Sequence, residues 1–176
     1  MFSSDRIYLR KVELEDSELY QSWRNDIDVM YSTNPSLDVY SYEDTRRFVE
    51  NVLVNSNTSK SYIIVERNGE TPIGITSLIN MDYKNRNAEC IIDLGNKQYW
   101  GKGYAKEALT ILLNYAFMEL NLHRVSLRVF DFNEAAIHLY QKLGFKEEGR
   151  SRESLYRNGE WHDMIHMGLL KNEFNN

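Results

Sequence analysis

Ile92-Asp93-Leu94-Gly95-Asn96-Lys97-Gln98-Tyr99-Trp100-Gly101-Lys102-Gly103-Tyr104-Ala105 runs from the end of an apolar, strand-like stretch through a glycine turn into the strongest helical pattern of the chain. Beyond the turn, Ala105, Ala108, Leu109, Leu112, Leu113, Ala116, Phe117 and Leu120 recur at helical spacing and share one face. A helix that begins at such a turn offers free backbone N–H groups and the positive end of its dipole, a place where an anion such as a phosphate can sit. Small residues let phosphate oxygens approach the main chain. The turn is not a Walker loop, because Gly101-Lys102 leads to Gly103 and not to Ser or Thr; Lys106 stands where a dinucleotide fingerprint has its third glycine. Taken alone, it also fits a plain strand-to-helix connection.

Working outward, 62–66 and 72–79 read as strands joined at Arg67-Asn68-Gly69-Glu70, with Pro72 at a strand start or edge. Arg6 to Arg10 alternates like a half-buried strand, and Asp16 is placed to cap a helix carrying Leu19, Tyr20 and Trp23. Residues 25–40, with Asn34-Pro35, read as a loop; Ser41 and Asp44 resemble a capping box before Phe48, Val49, Val52 and Leu53. Downstream, 125–129 reads as a strand, Asn133 caps a short helix with Ala136, Leu139 and Tyr140, and Gly144 closes it. The remainder reads as a closing hairpin around Arg157-Asn158-Gly159-Glu160. This order, β-α-α-β-β-β-α-β-α-β-β, predicts an α/β fold: a mixed, mostly antiparallel twisted sheet of about seven strands with helices on both faces.

A chain of 176 residues is the size of one domain, here 1–176, and buries about 70% of its unfolded surface. With 42% hydrophobic and 27% charged residues it is not a disordered chain. Lys and Arg total 21 against 26 Asp and Glu, a net charge of -5 with no basic run, which argues against a nucleic-acid partner. No basic start leads into an apolar stretch and no run approaches the roughly 18 apolar residues of a membrane span, so a cytoplasmic protein without a membrane partner is expected. The single cysteine, Cys90, forms no intramolecular disulfide. His162 and His166 would lie about 13 Å apart on a strand, too far for one zinc ion; a helical reading would bring them together, but Asn158-Gly159 points to a hairpin, so no metal is expected.

The stretch 92–144, and more loosely nearly the whole chain, resembles the GCN5-related N-acetyltransferase superfamily, most closely its branch of ribosomal-protein N-terminal acetylases and polyamine acetyltransferases. The superfamily's signature is Gln or Arg, two residues, Gly, one residue, then Gly or Ala; Trp100-Gly101-Lys102-Gly103-Tyr104-Ala105 matches it except at Trp100. The resemblance implies acetyl-CoA as co-substrate. Its diphosphate would meet the main chain of Trp100, Gly101, Lys102, Gly103, Tyr104, Ala105 and Lys106, and its pantetheine arm would pair with Ile92, Asp93 and Leu94. That strand and 125–129 would splay apart to admit the acyl group, and Asn133 would contact the arm while also capping its helix.

By the same resemblance, Tyr140 protonates the departing thiolate, which is sound chemistry for a phenol of pKa about 10 beside a thiol of about 8.5. Tyr140 also lies on the apolar side of its helix, so packing is a second role. Glu89 could take the amine's proton directly or through water, although many members use a water relay, and an edge carboxylate paired with Arg or Lys is an equally good reading. Cys90 would matter only in a ping-pong route, which is not the family's usual one. The expected acceptor is a primary amine on a protein N-terminus, a polyamine or another small molecule. Selectivity would come from 25–40, 80–87 and 156–163, and acidic groups such as Asp26, Asp28, Glu43, Asp82 and Glu160 could attract a cation, although solvated surface charge is the ordinary role of such residues. The family often forms dimers, and the closing hairpin would offer a strand edge for a homodimer. The alternative of another class is a non-catalytic acetyl-CoA-binding sensor or protein-interaction module.

Overall fold

The computed structural model describes residues 1–175. Seven strands form one sheet in the order β1-β2-β3-β4-β5-β7-β6: β1 (Ile7–Lys11), β2 (Lys60–Glu66), β3 (Thr71–Asp82), β4 (Asn87–Asp93), β5 (Arg124–Phe130), β6 (Lys146–Arg157) and β7 (Glu160–Leu170). Every pairing is antiparallel except β4 with β5. The helices are α1 (Ser17–Arg24), α2 (Ile27–Met30), α3 (Tyr42–Phe48), α4 (Tyr104–Asn114) and α5 (Glu134–Lys142). The expected mixed sheet with helices on both faces is therefore present. Among the described residues no helix is long and apolar enough to cross a membrane.

The strand period of two divides the core. Neighbours Ile63 and Ile64 on β2 are both fully buried, yet Ile63 packs with Trp23, Val49, Leu53 and Ile75, while Ile64 packs with Leu109, Leu112, Phe117 and Val125. The first set belongs to the face of α1 and α3, the second to the face of α4 and α5. Both faces are thus covered, which is why β2 is apolar without polar alternation. Close packing at the first face also fixes Gly95: a Cβ there would fall 2.1 Å from the Trp23 ring.

Some local expectations change. The stretch 25–40 contains the short helix α2, started by Asp26, whose side chain accepts the Asp28 N–H at 3.0 Å. Asp16 precedes α1 but does not cap it; its carboxylate instead takes two hydrogen bonds from Arg10 and one from the Glu13 N–H. In the β2–β3 turn the left-handed residue is Glu70, with φ of 50°, and not Gly69. Ser41 does cap α3, accepting from Asp44 N–H at 3.1 Å. His162 and His166 both lie on strand β7, where His162 Nδ1 meets Asp131 Oδ1 at 3.2 Å and His166 Nε2 meets the Ser151 hydroxyl at 2.8 Å.

Candidate active site

The parallel pair β4–β5 is short. Its register covers Asn87, Ala88 and Glu89 against Arg124, Val125 and Ser126 and then ends. Beyond that point β4 stays with β3 as far as Asp93 opposite Ile75, while β5 stays with β7 as far as Phe130 opposite Met164. Each strand is held by its outer neighbour, so the inner edges part and leave backbone groups of β4 without a strand partner. The opening is a cavity of about 160 Å³ lined by Glu89, Cys90, Asp93, Arg128, Asn133 and Tyr140 among others. At about 30 Å³ per water, this has room for an acetyl group and an amine.

The glycine turn lies at the end of β4. Gly101 and Gly103 have φ of 71° and 85°, a region that favours glycine, and Gly103 is the residue at which α4 begins. A Cβ at Gly101 would meet nothing within 4 Å, so the turn opens outward, with exposed Lys102 and Lys106 beside it. Trp100 Nε1 donates to the main-chain oxygen of Leu94 at 2.8 Å. This bond uses one of the two lone pairs of the Leu94 carbonyl, so Ile92, Asp93 and Leu94 all keep main-chain groups that a pantetheine arm could meet.

A residue that sequence reasoning missed braces the turn from β1's side. Arg6 donates to Lys102 O at 3.0 Å and to Glu107 Oε2 at 2.8 Å, and its guanidinium lies 4.4 Å from the centre of the Tyr104 ring. Burial alone would raise the Glu107 carboxyl, but hydrogen bonds from Ser4 and Arg6 outweigh it and hold the group below its usual range. Arg6 is 96 and 101 residues from its partners, so no local pattern could reveal it.

Tyr140 comes from α5, is 9% exposed, and makes an edge contact with Phe145 at 6.0 Å between centroids. Burial pushes its phenol well above the ordinary value, with the nearby Cys90 and Asp93 adding to the shift. It therefore packs and faces the cavity at once. Asn133 Oδ1 accepts the Ala136 N–H at 3.2 Å, its capping role, and Nδ2 donates to Ser32 O at 3.2 Å. Glu89 is paired: Arg128 Nε donates to it at 2.7 Å and Asn80 Nδ2 at 3.3 Å. Asp93 differs, since its Oδ1 is buried with no hydrogen-bond partner among the described residues. Burial raises its carboxyl above the ordinary value, with the polar Thr33 side chain, whose hydroxyl donates to Val29 O at 3.3 Å, weakly opposing the shift. The Cys90 thiol is buried in the cavity wall, and burial pushes it up to about 12.

The roof of the cavity is loop 31–35, and a buried arginine holds it. Arg157 of β6, 5% exposed, donates to the main-chain oxygens of Tyr31 and of Asn34, the latter at 2.6 Å, and stacks 5.1 Å from the Tyr31 ring. Most surface acids named from the sequence are already engaged: Asp26 and Asp28 with Lys97, Glu43 with Arg47, and Asp82 with Asn85. The acidic groups that reach the cavity are Glu89 and Asp93.

A splayed parallel pair followed by an outward-opening glycine turn at the start of α4 invites comparison with known proteins. The acetyltransferase (GNAT) domain matches residues 6–146. A spermidine N(1)-acetyltransferase of Vibrio cholerae is 32% identical over 161 residues, covering 87% of this chain and 92% of that protein. A putative ribosomal N-acetyltransferase of Bacillus subtilis, YdaF, is 41% identical over 101 residues, 57% of this chain and 55% of that protein. The crystal structure of the Vibrio cholerae spermidine N-acetyltransferase in complex with CoA and spermine superposes with a TM-score of 0.89 at 27% identity, covering 98% of this chain and 100% of that one. The chain belongs to the GNAT acetyltransferase family, enzymes that move acetyl groups to amines.

Proposed function

We propose that this chain transfers the acetyl group of acetyl-CoA directly to a primary amine of a polyamine. The observation that carries the reading is the parting of β4 from β5 above Glu89, which sets Tyr140 and two carboxyl groups around one small cavity beside the Gly101–Gly103 turn. The residues present fit the co-substrate: the left-handed glycines leave the start of α4 open to phosphate oxygens, and the β4 edge lacks a strand partner. Bound there, acetyl-CoA supplies a thioester, an activated acyl group. The main chain from Trp100 to Lys106 would hold the diphosphate, Ile92, Asp93 and Leu94 would hold the arm, and β4 N–H groups would polarise the acyl oxygen. Tyr140 gives its phenolic proton to the leaving sulfur. Glu89 lines the cavity with its charge balanced by Arg128, which supports a positioning role or a water-mediated one.

Two findings support a polyamine over a protein N-terminus. The relatives named for spermidine align over most of this chain, whereas YdaF aligns over 57% of it. The cavity also presents acidic groups in a roofed space suited to a slender cation. A homodimer along the β6 edge, which has a neighbour on one side only, completes the reading. CoA release measured with spermidine, an aminosugar and a short peptide tests the acceptor: the account expects the largest kcat/KM for spermidine, and a preference for the peptide would transfer the assignment to protein N-termini.

A further inference from the structure

We infer that Asp93 is the proton acceptor for the attacking amine, because its carboxyl lines the β4–β5 cavity with a buried Oδ1 that nothing among the described residues satisfies. The inference rests on the acetyl-transfer reading above and adds a residue to it.

Alternation along β4 puts Cys90 and Ile92 toward the α4 and α5 face and Glu89, Ile91 and Asp93 toward the other, where Tyr20 of α1 lies close enough to feel the Asp93 charge. Tyr140 reaches the cavity from α5. An acid and a proton acceptor thus approach one slot from different elements, as two proton transfers at different atoms require. Glu89 is the less able of the two carboxylates, since Arg128 and Asn80 already occupy it. Asp93 has no cationic partner. Burying a carboxyl without one is costly, and an apolar residue between Ile92 and Leu94 would pack at lower cost, so the position makes sense if a cation arrives there. A primary ammonium is that cation.

Desolvation in the slot raises the carboxyl and lowers the ammonium, so the gap between them narrows. The titratable or charged groups facing Asp93 are Tyr20 of α1, Tyr140 of α5, Cys90 and Glu89 on its own strand, and Arg128 of β5. Of these Arg128 is committed to Glu89, and burial raises both phenols and the thiol, which keeps them neutral. The ammonium gives one proton to the Asp93 carboxylate. Its freed lone pair forms the N–C bond, the C–S electrons leave on sulfur, and sulfur takes the Tyr140 proton. The second nitrogen proton returns through water to the Tyr140 phenolate, and Asp93 releases its proton to solvent. One ammonium and one thioester give one amide, one thiol and one free proton.

The test is Asp93→Asn, which preserves shape and removes basicity. Expected are a fall in kcat of about 100-fold or more, an acetyl-CoA Kd within about twofold of native by calorimetry, and loss of the acidic limb of the kcat profile against pH. An independent readout is a ¹³C titration of the aspartate carboxyl carbons in the free protein, assigned by the signal missing from the variant; Asp93 should titrate above the ordinary aspartates. A native kcat and an intact acidic limb in Asp93→Asn, or an ordinary titration of Asp93, overturn the assignment alone. A native protein that acetylates no amine overturns the acetyl-transfer reading and this assignment with it.

Discussion

The indole N–H of Trp100 donates to the main-chain oxygen of Leu94 at 2.8 Å, tying the glycine turn to the end of β4. The residue that departs from the superfamily's signature therefore contributes a strut between the end of β4 and the glycine turn, the two stretches proposed above to hold the co-substrate. Trp100→Phe keeps an aromatic ring and removes the donor, at a cost of about 1 kcal/mol. Calorimetry should show acetyl-CoA binding weakened about fivefold. An unchanged Kd would mean that the turn holds its shape without the strut.

Tyr140→Phe removes one hydroxyl from a buried ring that also packs against Phe145. Turnover, followed by CoA release, should fall about 100-fold while the acetyl-CoA Kd stays within about twofold. Equal losses in binding and turnover would assign the residue to packing instead.

Cys90 is buried, and with its thiol pushed up to about 12 it stays protonated at neutral pH. Cys90→Ala should keep kcat within about threefold, and the native thiol should resist iodoacetamide until the protein is unfolded. A dead Cys90→Ala variant with normal acetyl-CoA binding would revive an acyl-cysteine route.

Asp16 gives the fold a pH dependence. Burial works to raise its carboxyl, but two hydrogen bonds from Arg10, at 2.8 and 2.6 Å, and one from the Glu13 N–H outweigh it and hold the group below its ordinary value. A depressed carboxyl contributes stability that is complete above the unfolded-state value near 3.9. That contribution is lost as pH falls through the lower folded value. Asp16→Asn should cost about 2 kcal/mol at pH 7, with the difference from native shrinking below about pH 3 in urea titrations.

Elements with strong local signals were legible in the sequence. The three-and-four spacing of α4, the Ser41 and Asn133 caps and the left-handed Gly144 all depend on neighbours within a few residues, and all are present. Helix α2 was not, because its four residues carry no apolar repeat and depend on the Asp26 cap. The turn glycines and the cavity positions of Tyr140, Glu89 and Asn133 were visible through the family pattern. The braces were not: Arg6 at the turn and Arg157 under loop 31–35 meet partners about a hundred residues away, which spacing does not encode. Asp93 was read for its main chain, and the isolation of its carboxyl appears only when the strands are seen to part.

The proposed reaction requires the turn at Gly101–Gly103 and the slot beyond it to hold acetyl-CoA. Calorimetric titration of the native protein beside Gly103→Val tests it directly, since φ of 85° is a conformation that a β-branched residue resists. The native protein should bind saturably, and a folded Gly103→Val variant at least about tenfold more weakly. A well-folded native protein that does not bind, or a variant that binds as well, would contradict it.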